Sequence, residues 1–144
     1  MQIHASCAAI EGAGVVLLGP SGVGKSDLVL QLLDRGFTLV ADDRVDITDG
    51  WAAPPPGLAG LLEVRGLGLM RLPYHAPVRL CLAVMLGAQA ARLPAPQRHA
   101  GLDLPLLHLD PTVNSAAARL AMAVACAAGR IMQLAGAFTA EAVA

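Results

Sequence analysis

Eight consecutive residues, Gly19-Pro20-Ser21-Gly22-Val23-Gly24-Lys25-Ser26, combine the groups needed to grip a chain of phosphates. Glycines at 19, 22 and 24 let the backbone curl so that successive N–H groups converge on phosphate oxygens, where side chains would obstruct the curl. Lys25 adds a point charge suited to β/γ-phosphates, and Ser26 a hydroxyl suited to Mg²⁺. A helix starting here aims its positive end at the same place. The spacing G-x-x-x-x-G-K-S is that of a phosphate-binding loop, and residues 19–26 are expected to hold a nucleotide.

Further along, two sites carry acids. Asp42-Asp43 ends the apolar run Leu39-Val40-Ala41, the place where a nucleotide enzyme sets the acid for Mg²⁺ or its water, because strand carboxyl ends gather at the ligand. Glu63 and Arg65 sit two apart on the strand-like run 61–70, hence on one face, followed by Gly66 and Gly68. A local ion pair and a catalytic pair are equally compatible with that spacing. His4 lies near the start of the chain, where a lone histidine is more often structural.

The elements that must position these residues can be read in order. Residues 2–10 alternate as a strand, and Glu11-Gly12-Ala13-Gly14 offers a hairpin into the apolar run 14–18, so the sheet is expected to begin antiparallel. Asp27 to Arg35 places Leu28, Leu32 and Leu33 on one helical face, with Gly36 as its left-handed cap. Residues 37–41 read as a buried strand, and 44–48 as a half-exposed one closed by an Asp49-Gly50 turn. Trp51 to Gly57, with three prolines, reads as a loop, as does 92–99. Arg79 to Leu86 reads as a strand, and 104–110 as an edge strand because Pro105 lacks a donor. Asn114 or Ser115 caps an Ala-rich helix to about 128, with Gly129 breaking it before a shorter terminal helix. Leu120, Val124 and Met132 are expected to pack on the sheet or on a neighbouring subunit. The fold class is α/β, one domain over residues 1–144, with a mixed sheet flanked by helices.

Composition narrows the classes. The chain has 144 residues and is 56% hydrophobic but only 3% aromatic, with a mean hydropathy of +0.60, which suits a layered core of small aliphatic residues. Charges or prolines interrupt each apolar run short of the ~18 residues that span a bilayer, and no basic segment leads an apolar one at the N-terminus. A cytoplasmic protein without a membrane partner is expected. Cys7, Cys81 and Cys126 are far apart among apolar neighbours, as reduced buried thiols are. The net charge of −1 gives no general attraction to nucleic acid.

Three blocks in order, Gly19 to Ser26, Leu39-Val40-Ala41-Asp42-Asp43-Arg44-Val45, and Leu62-Glu63-Val64-Arg65-Gly66-Leu67-Gly68, together with His4, resemble the HPr kinase/phosphorylase family over about the first half of the chain. The resemblance implies a core similar to that of HPr kinase and PEP carboxykinase. It implies phosphorylation of a serine on an HPr-like phosphocarrier protein of the phosphotransferase system with ATP and Mg²⁺. In many members phosphate also removes that group, releasing pyrophosphate. Carried over by position, Lys25 grips the phosphates, Ser26 and Glu63 hold Mg²⁺, and the Asp42-Asp43 pair supplies the base toward the substrate hydroxyl. His4 assists beside that pair, Arg65 belongs to the signature face, and Arg98 matches a family arginine that neutralises transition-state charge. A homo-oligomer, hexameric in the family, is also implied.

Two departures accompany the likeness. Typical members carry an additional N-terminal domain, whereas this chain begins almost at the catalytic strand and resembles the short, catalytic-domain-only form of some proteobacteria. The family's Gly-Arg-Asn loop, linked to dephosphorylation, is replaced by Leu107 to Asn114, which leaves the phosphorylase reaction open. Two other classes share the loop: a nucleotide-binding sensor without transferase activity, and a small-molecule phosphate-loop kinase. Asp42, Asp43 and Glu63 count against the first, and the few arginines of the late region against the second. No N-K-x-D stretch points to a GTPase.

Overall fold

The computed structural model describes residues 1–88 and 91–139. Its strands are β1 (Gln2–His4), β2 (Ser6–Ile10), β3 (Ala13–Leu18), β4 (Thr38–Ala41), β5 (Arg44–Thr48), β6 (Trp51–Ala53), β7 (Leu61–Val64), β8 (Gly68–Arg71), β9 (Val78–Leu86), β10 (Gln97–His99) and β11 (Leu104–Leu109). Two helices, α1 (Lys25–Leu33) and α2 (Ala116–Ala127), complete the described elements. Nine strands form one mixed sheet in the order β1-β5-β6-β9-β3-β2-β4, with β11 also beside β9 and β10 beside β11, while β7 and β8 form a separate hairpin. No helix among the described residues is long and apolar enough to cross a membrane.

Strand directions explain where the chemistry gathers. β9 runs parallel to β3, and β11 parallel to β9. β4 is antiparallel to β2, which is antiparallel to β3, so β4 shares the direction of β3. The carboxyl ends of all four therefore emerge on one edge, where the glycine loop, Asp42, Gly87 and Asp110 follow. The start of β2 lies at that edge too, with Ser6 opposite Leu17 and Cys7 opposite Ala41.

Both faces of the central strands are buried, which is why β3 reads as an unbroken apolar run rather than an alternation. Val15 and Leu17 enter the core beneath α1 and α2, with Leu28, Leu32, Leu120 and Val124. Val16 and Leu18 enter a second core, with Val40, Val45, Ile47 and Ala52, where β5 and β6 fold over the opposite face. A bulge lets β9 serve both. Gly14 pairs with Leu80 but Val15 with Leu82, leaving Cys81 as the extra residue. Val78 and Leu80 thus face the second core, while Leu82, Val84 and Leu86 face the first.

Several expectations need correction. Residues 2–10 form two strands with the chain turning at Ala5, and β1 pairs with β5 rather than with its sequence neighbour. Trp51–Ala53 is a strand and not part of the proline loop, because the Asp49-Gly50 turn, with both φ positive at 52° and 82°, returns the chain antiparallel onto β5. Gln97–His99 is likewise a strand, pairing with Leu104–Leu106 across a turn held by Asp103 at φ 53°. β11 is consequently no edge strand: Pro105 sits where only the short β10 flanks it. α1 begins at Lys25, two residues before the expected start, and Gly36 at φ 90° ends it as expected. Among the described residues no helix follows Gly129. Leu120 and Val124 are buried as expected, whereas Met132 is 83% exposed.

Gly14 sits at the bulge without room for a side chain. A Cβ there would lie 2.9 Å from the Arg79 carbonyl oxygen and 2.9 Å from Val78 Cγ2. Gly14→Ala is therefore expected to lower unfolding stability by about 1–3 kcal/mol, through backbone displacement at the β3–β9 seam. Urea denaturation followed by circular dichroism checks it, and an unchanged midpoint would contradict this packing.

Candidate active site

The loop that follows β3 owes its path to glycine at the positions where the backbone turns left-handed. Gly22 and Gly24 have φ of 83° and 112°, and Gly24 directly precedes the first turn of α1. One backbone bond, from Val23 N–H to the Pro20 carbonyl at 3.2 Å, tightens the curl. Lys25 folds back over it, its Nζ donating to the carbonyls of Gly19 at 2.6 Å and Pro20 at 3.0 Å. The ammonium thus sits over the curl, available to exchange carbonyl oxygens for phosphate ones. On the outer side, Pro111 approaches Gly24, with its Cβ 3.8 Å from where a Gly24 side chain would begin. The neighbouring Asp110 carboxyl is held below the usual carboxylate range, chiefly by the Thr112 hydroxyl and then by the Thr112 N–H.

At the end of β4 the two adjacent acids part company. The chain makes a three-residue turn centred on Asp43, at φ 67°, with Arg44 N–H donating to the Asp42 carbonyl at 2.8 Å. Ala5 N–H donates to the Asp43 carbonyl at 3.2 Å, which pins the β1–β2 corner to the β4–β5 corner. This strained backbone is over-determined by its neighbours, as positive φ at a non-glycine residue requires. It sends Asp42 inward, 8% exposed, and Asp43 outward.

Among the described residues, hydroxyls alone donate to the Asp42 carboxylate. Ser26 Oγ lies 2.8 Å and 2.9 Å from its two carboxylate oxygens, and Ser6 donates to Oδ1 at 2.6 Å. Among the described residues no ion pair reaches it. A buried carboxylate without a cationic partner is costly, and a cation held beside it would offset that cost. The donors there, a carboxylate and a hydroxyl, are the hard oxygens that Mg²⁺ prefers. No group of three or more His, Cys, Asp or Glu among the described residues forms a complete metal cage. That fits an ion bound by one or two protein ligands and completed by phosphate oxygens and water.

Asp43 faces a cavity of about 430 Å³ that also receives His4, Lys25, Ser26, Glu63 and Arg65. His4 Nδ1 stands 4.0 Å from Asp43 Oδ1, with both side chains largely exposed. That is too long for a hydrogen bond and close enough to tighten around a bound hydroxyl. Glu63 lies on β7, whereas Arg65 lies in the turn to β8. Both line the cavity, Glu63 from the strand and Arg65 from the hairpin turn, not as two positions on one strand face, and no ion pair joins them.

Of the residues singled out in the sequence, the structure brings His4, Ser21, Gly22, Gly24, Lys25, Ser26, Asp43, Glu63 and Arg65 around this cavity, with Asp42 behind Ser26. Gly19, Pro20 and Val23 shape the loop. Arg98 is not brought there. It pairs with Pro105 at the amino end of β11 and binds Asp103 at 3.0 Å, four residues, or about 13 Å at strand rise, from the Leu109 end that meets the loop. Sequence reasoning missed Ser6, whose one signal is a hydroxyl in an apolar strand. All three cysteines are free, as expected, but only Cys7 is buried, with Cys81 and Cys126 half-buried; burial pushes the Cys7 and Cys81 thiols up.

Strand, glycine loop and helix on a mixed sheet, with an acid at the end of a strand that runs the same way one position beyond β2, define an α/β domain with helices flanking a mixed sheet. The model of the HPr Serine kinase C-terminal domain matches residues 1–74, and the chain belongs to that family. The HPr kinase/phosphorylase of Lacticaseibacillus casei (strain BL23) is 47% identical over 74 residues, 48% of this chain and 23% of that protein. That of Streptococcus thermophilus (strain LMD-9) is 45% identical over 74 residues, 24% of its length. The matches thus span under a quarter of these relatives. The solved HPr(Ser) kinase/phosphatase of Coxiella burnetii superposes with a TM-score of 0.70 at 22% identity, covering 86% of this chain and 93% of that one. The shared fold therefore extends well beyond the matched sequence.

Because Asp42 is a buried charge with neutral partners, Asp42→Asn is expected to leave the melting temperature unchanged or raise it by a few degrees, while weakening Mg-nucleotide binding at least tenfold. Thermal unfolding and titration with a fluorescent ATP analogue check both halves. A large loss of stability would show that the carboxylate is structural.

Proposed function

We propose that this chain is a Mg-ATP-dependent protein-serine kinase acting on an HPr-like phosphocarrier protein. Carrying the proposal is one cavity in which the Lys25 loop, the Ser26–Asp42 pair and the exposed Asp43–His4 pair converge. The family, and the names of its relatives, support the choice of a serine on a small carrier protein over a small-molecule acceptor.

Division of labour follows from the divergence of the two acids. Residues 19–24 and Lys25 cradle the β- and γ-phosphates, while Ser26, Asp42 and Glu63 are the candidates to hold Mg²⁺. When bound, Mg²⁺ supplies neutralisation of charge on the β- and γ-oxygens. Asp43, exposed on the cavity that the loop residues also line, is the base that takes the proton of the incoming serine hydroxyl. A serine hydroxyl is a weak nucleophile at neutral pH, so a positioned carboxylate matters there. His4 orients Asp43 or the hydroxyl between them, and Arg65 at the hairpin tip places positive charge beside the transferring group. In the reverse direction Asp43 returns the proton to the serine oxygen while phosphate takes the phosphoryl group, releasing pyrophosphate.

Incubation with labelled ATP and the HPr-type protein of the same organism tests this, with a carrier lacking the acceptor serine as control. Asp43→Asn is expected to cut transfer by about 10²–10⁴-fold while leaving nucleotide affinity within a few-fold. Transfer that survives Asp43→Asn would overturn the assignment of the base. Intact nucleotide binding without transfer by the wild type would favour a nucleotide-binding sensor. Phosphate added to the phosphorylated carrier, with pyrophosphate measured, reads the reverse reaction.

A further inference from the structure

Beside the metal-side acid, among the residues that line the cavity, stands a hydroxyl with no role in the reading above. Ser6 opens β2, is 0% exposed, and sits in a run otherwise made of Ala, Cys and Ile. A hydroxyl buried in such surroundings without an acceptor would cost stability. Its acceptor is Asp42, 36 positions away, at 2.6 Å, the shortest hydrogen bond that this carboxylate receives.

The two serines do not bind Asp42 in the same way. Ser26 Oγ lies 2.8 Å from Oδ1 and 2.9 Å from Oδ2, so its single proton is shared between both oxygens. Ser6 bonds Oδ1 alone. Rotation of the carboxylate would break the Ser6 bond, so Ser6 fixes Oδ1 as the committed oxygen and leaves Oδ2 the less engaged one. Ser26 meanwhile stays free to offer its lone pairs. The corner carrying Ser6 is anchored by the Ala5 N–H bond to the Asp43 carbonyl at 3.2 Å, so the short Ser6 side chain projects from a pinned backbone.

We propose that Ser6 is a positioning residue, which holds Asp42 in the one orientation that serves a cation at Ser26. This rests on the Mg-nucleotide reading given above. Partners of metal ligands typically change metal affinity by about 10–100-fold when removed.

The test titrates Mg²⁺ into the protein with a fluorescent methylanthraniloyl-ATP, reading nucleotide binding by fluorescence and folding by thermal midpoint on the same samples. Ser6→Ala is expected to raise the half-saturating Mg²⁺ concentration about tenfold and to leave metal-free nucleotide binding unchanged. Ser6→Thr, which keeps the hydroxyl, is expected to restore the wild-type Mg²⁺ dependence. Where Ser6→Ala does not fold, Ser6→Cys, close in volume and a far weaker donor, makes the same comparison. An unchanged Mg²⁺ midpoint in a folded Ser6→Ala or Ser6→Cys protein overturns the proposal. So does equal weakening with and without Mg²⁺, which marks a structural residue. Failure of the underlying reading looks different: the wild type itself would then bind the analogue with no Mg²⁺ dependence, and Ser6 would lose its role with it.

Discussion

A carboxylate buried against two serine hydroxyls, with no positive charge among the described residues to balance it, organises this molecule. Asp42 joins the end of β4 to the first turn of α1 through Ser26 and to the start of β2 through Ser6. Three segments distant in sequence therefore meet at one charged group, on the edge where parallel strands end. Neutral hydrogen bonds satisfy the carboxylate geometrically, yet they do not neutralise it. The same arrangement that costs stability in the folded chain is the one that would favour a cation, and stability set aside at a site of this kind is a common mark of function.

Everything around that corner serves to fix it. Folding β5 and β6 over one sheet face and α1 and α2 over the other buries the central strands on both sides, so that the strand ends cannot shift without disturbing two cores. The bulge at Cys81 lets β9 contribute side chains to each core in turn. The turn at Asp43, pinned by Ala5, keeps two adjacent acids pointing to different sides. Neighbouring carboxylates that might have acted as one coupled pair are instead given different surroundings, one dry and hydroxyl-bound, the other open to the cavity.

What could be read from the sequence was what is local. The strand, glycine loop and helix from Ala13 to Leu33 declare themselves because each requirement, apolar run, glycine spacing and helical periodicity, lies within a few residues. The acid pair after β4 was legible for the same reason. Long-range pairing was not. Trp51–Ala53 looked like part of a proline loop because its strand character comes from β5 and β9 rather than from its own residues. Arg98 is kept from the cavity by the direction of β11, which puts its partner Pro105 at the opposite end of the strand from Leu109. Arg65 lies in a turn and not on a strand face because Gly66, at φ 77°, helps reverse the chain between β7 and β8, a pairing that local spacing does not reveal. Ser6 gave almost no signal, since its meaning depends on a partner contributed by another strand.

Separation of the two acids is the central claim, and a structure of the protein with Mg²⁺ and a non-hydrolysable ATP analogue tests it most directly. Predicted is a metal ion coordinated by Ser26 Oγ at about 2.1 Å, with Asp42 beside it still accepting from Ser6, Lys25 turned from the Gly19 and Pro20 carbonyls to the phosphates, and Asp43 with His4 on the far side of the γ-phosphate, away from the metal. A metal bound instead between Asp43 and His4, with Asp42 unchanged and remote from the nucleotide, would contradict the account.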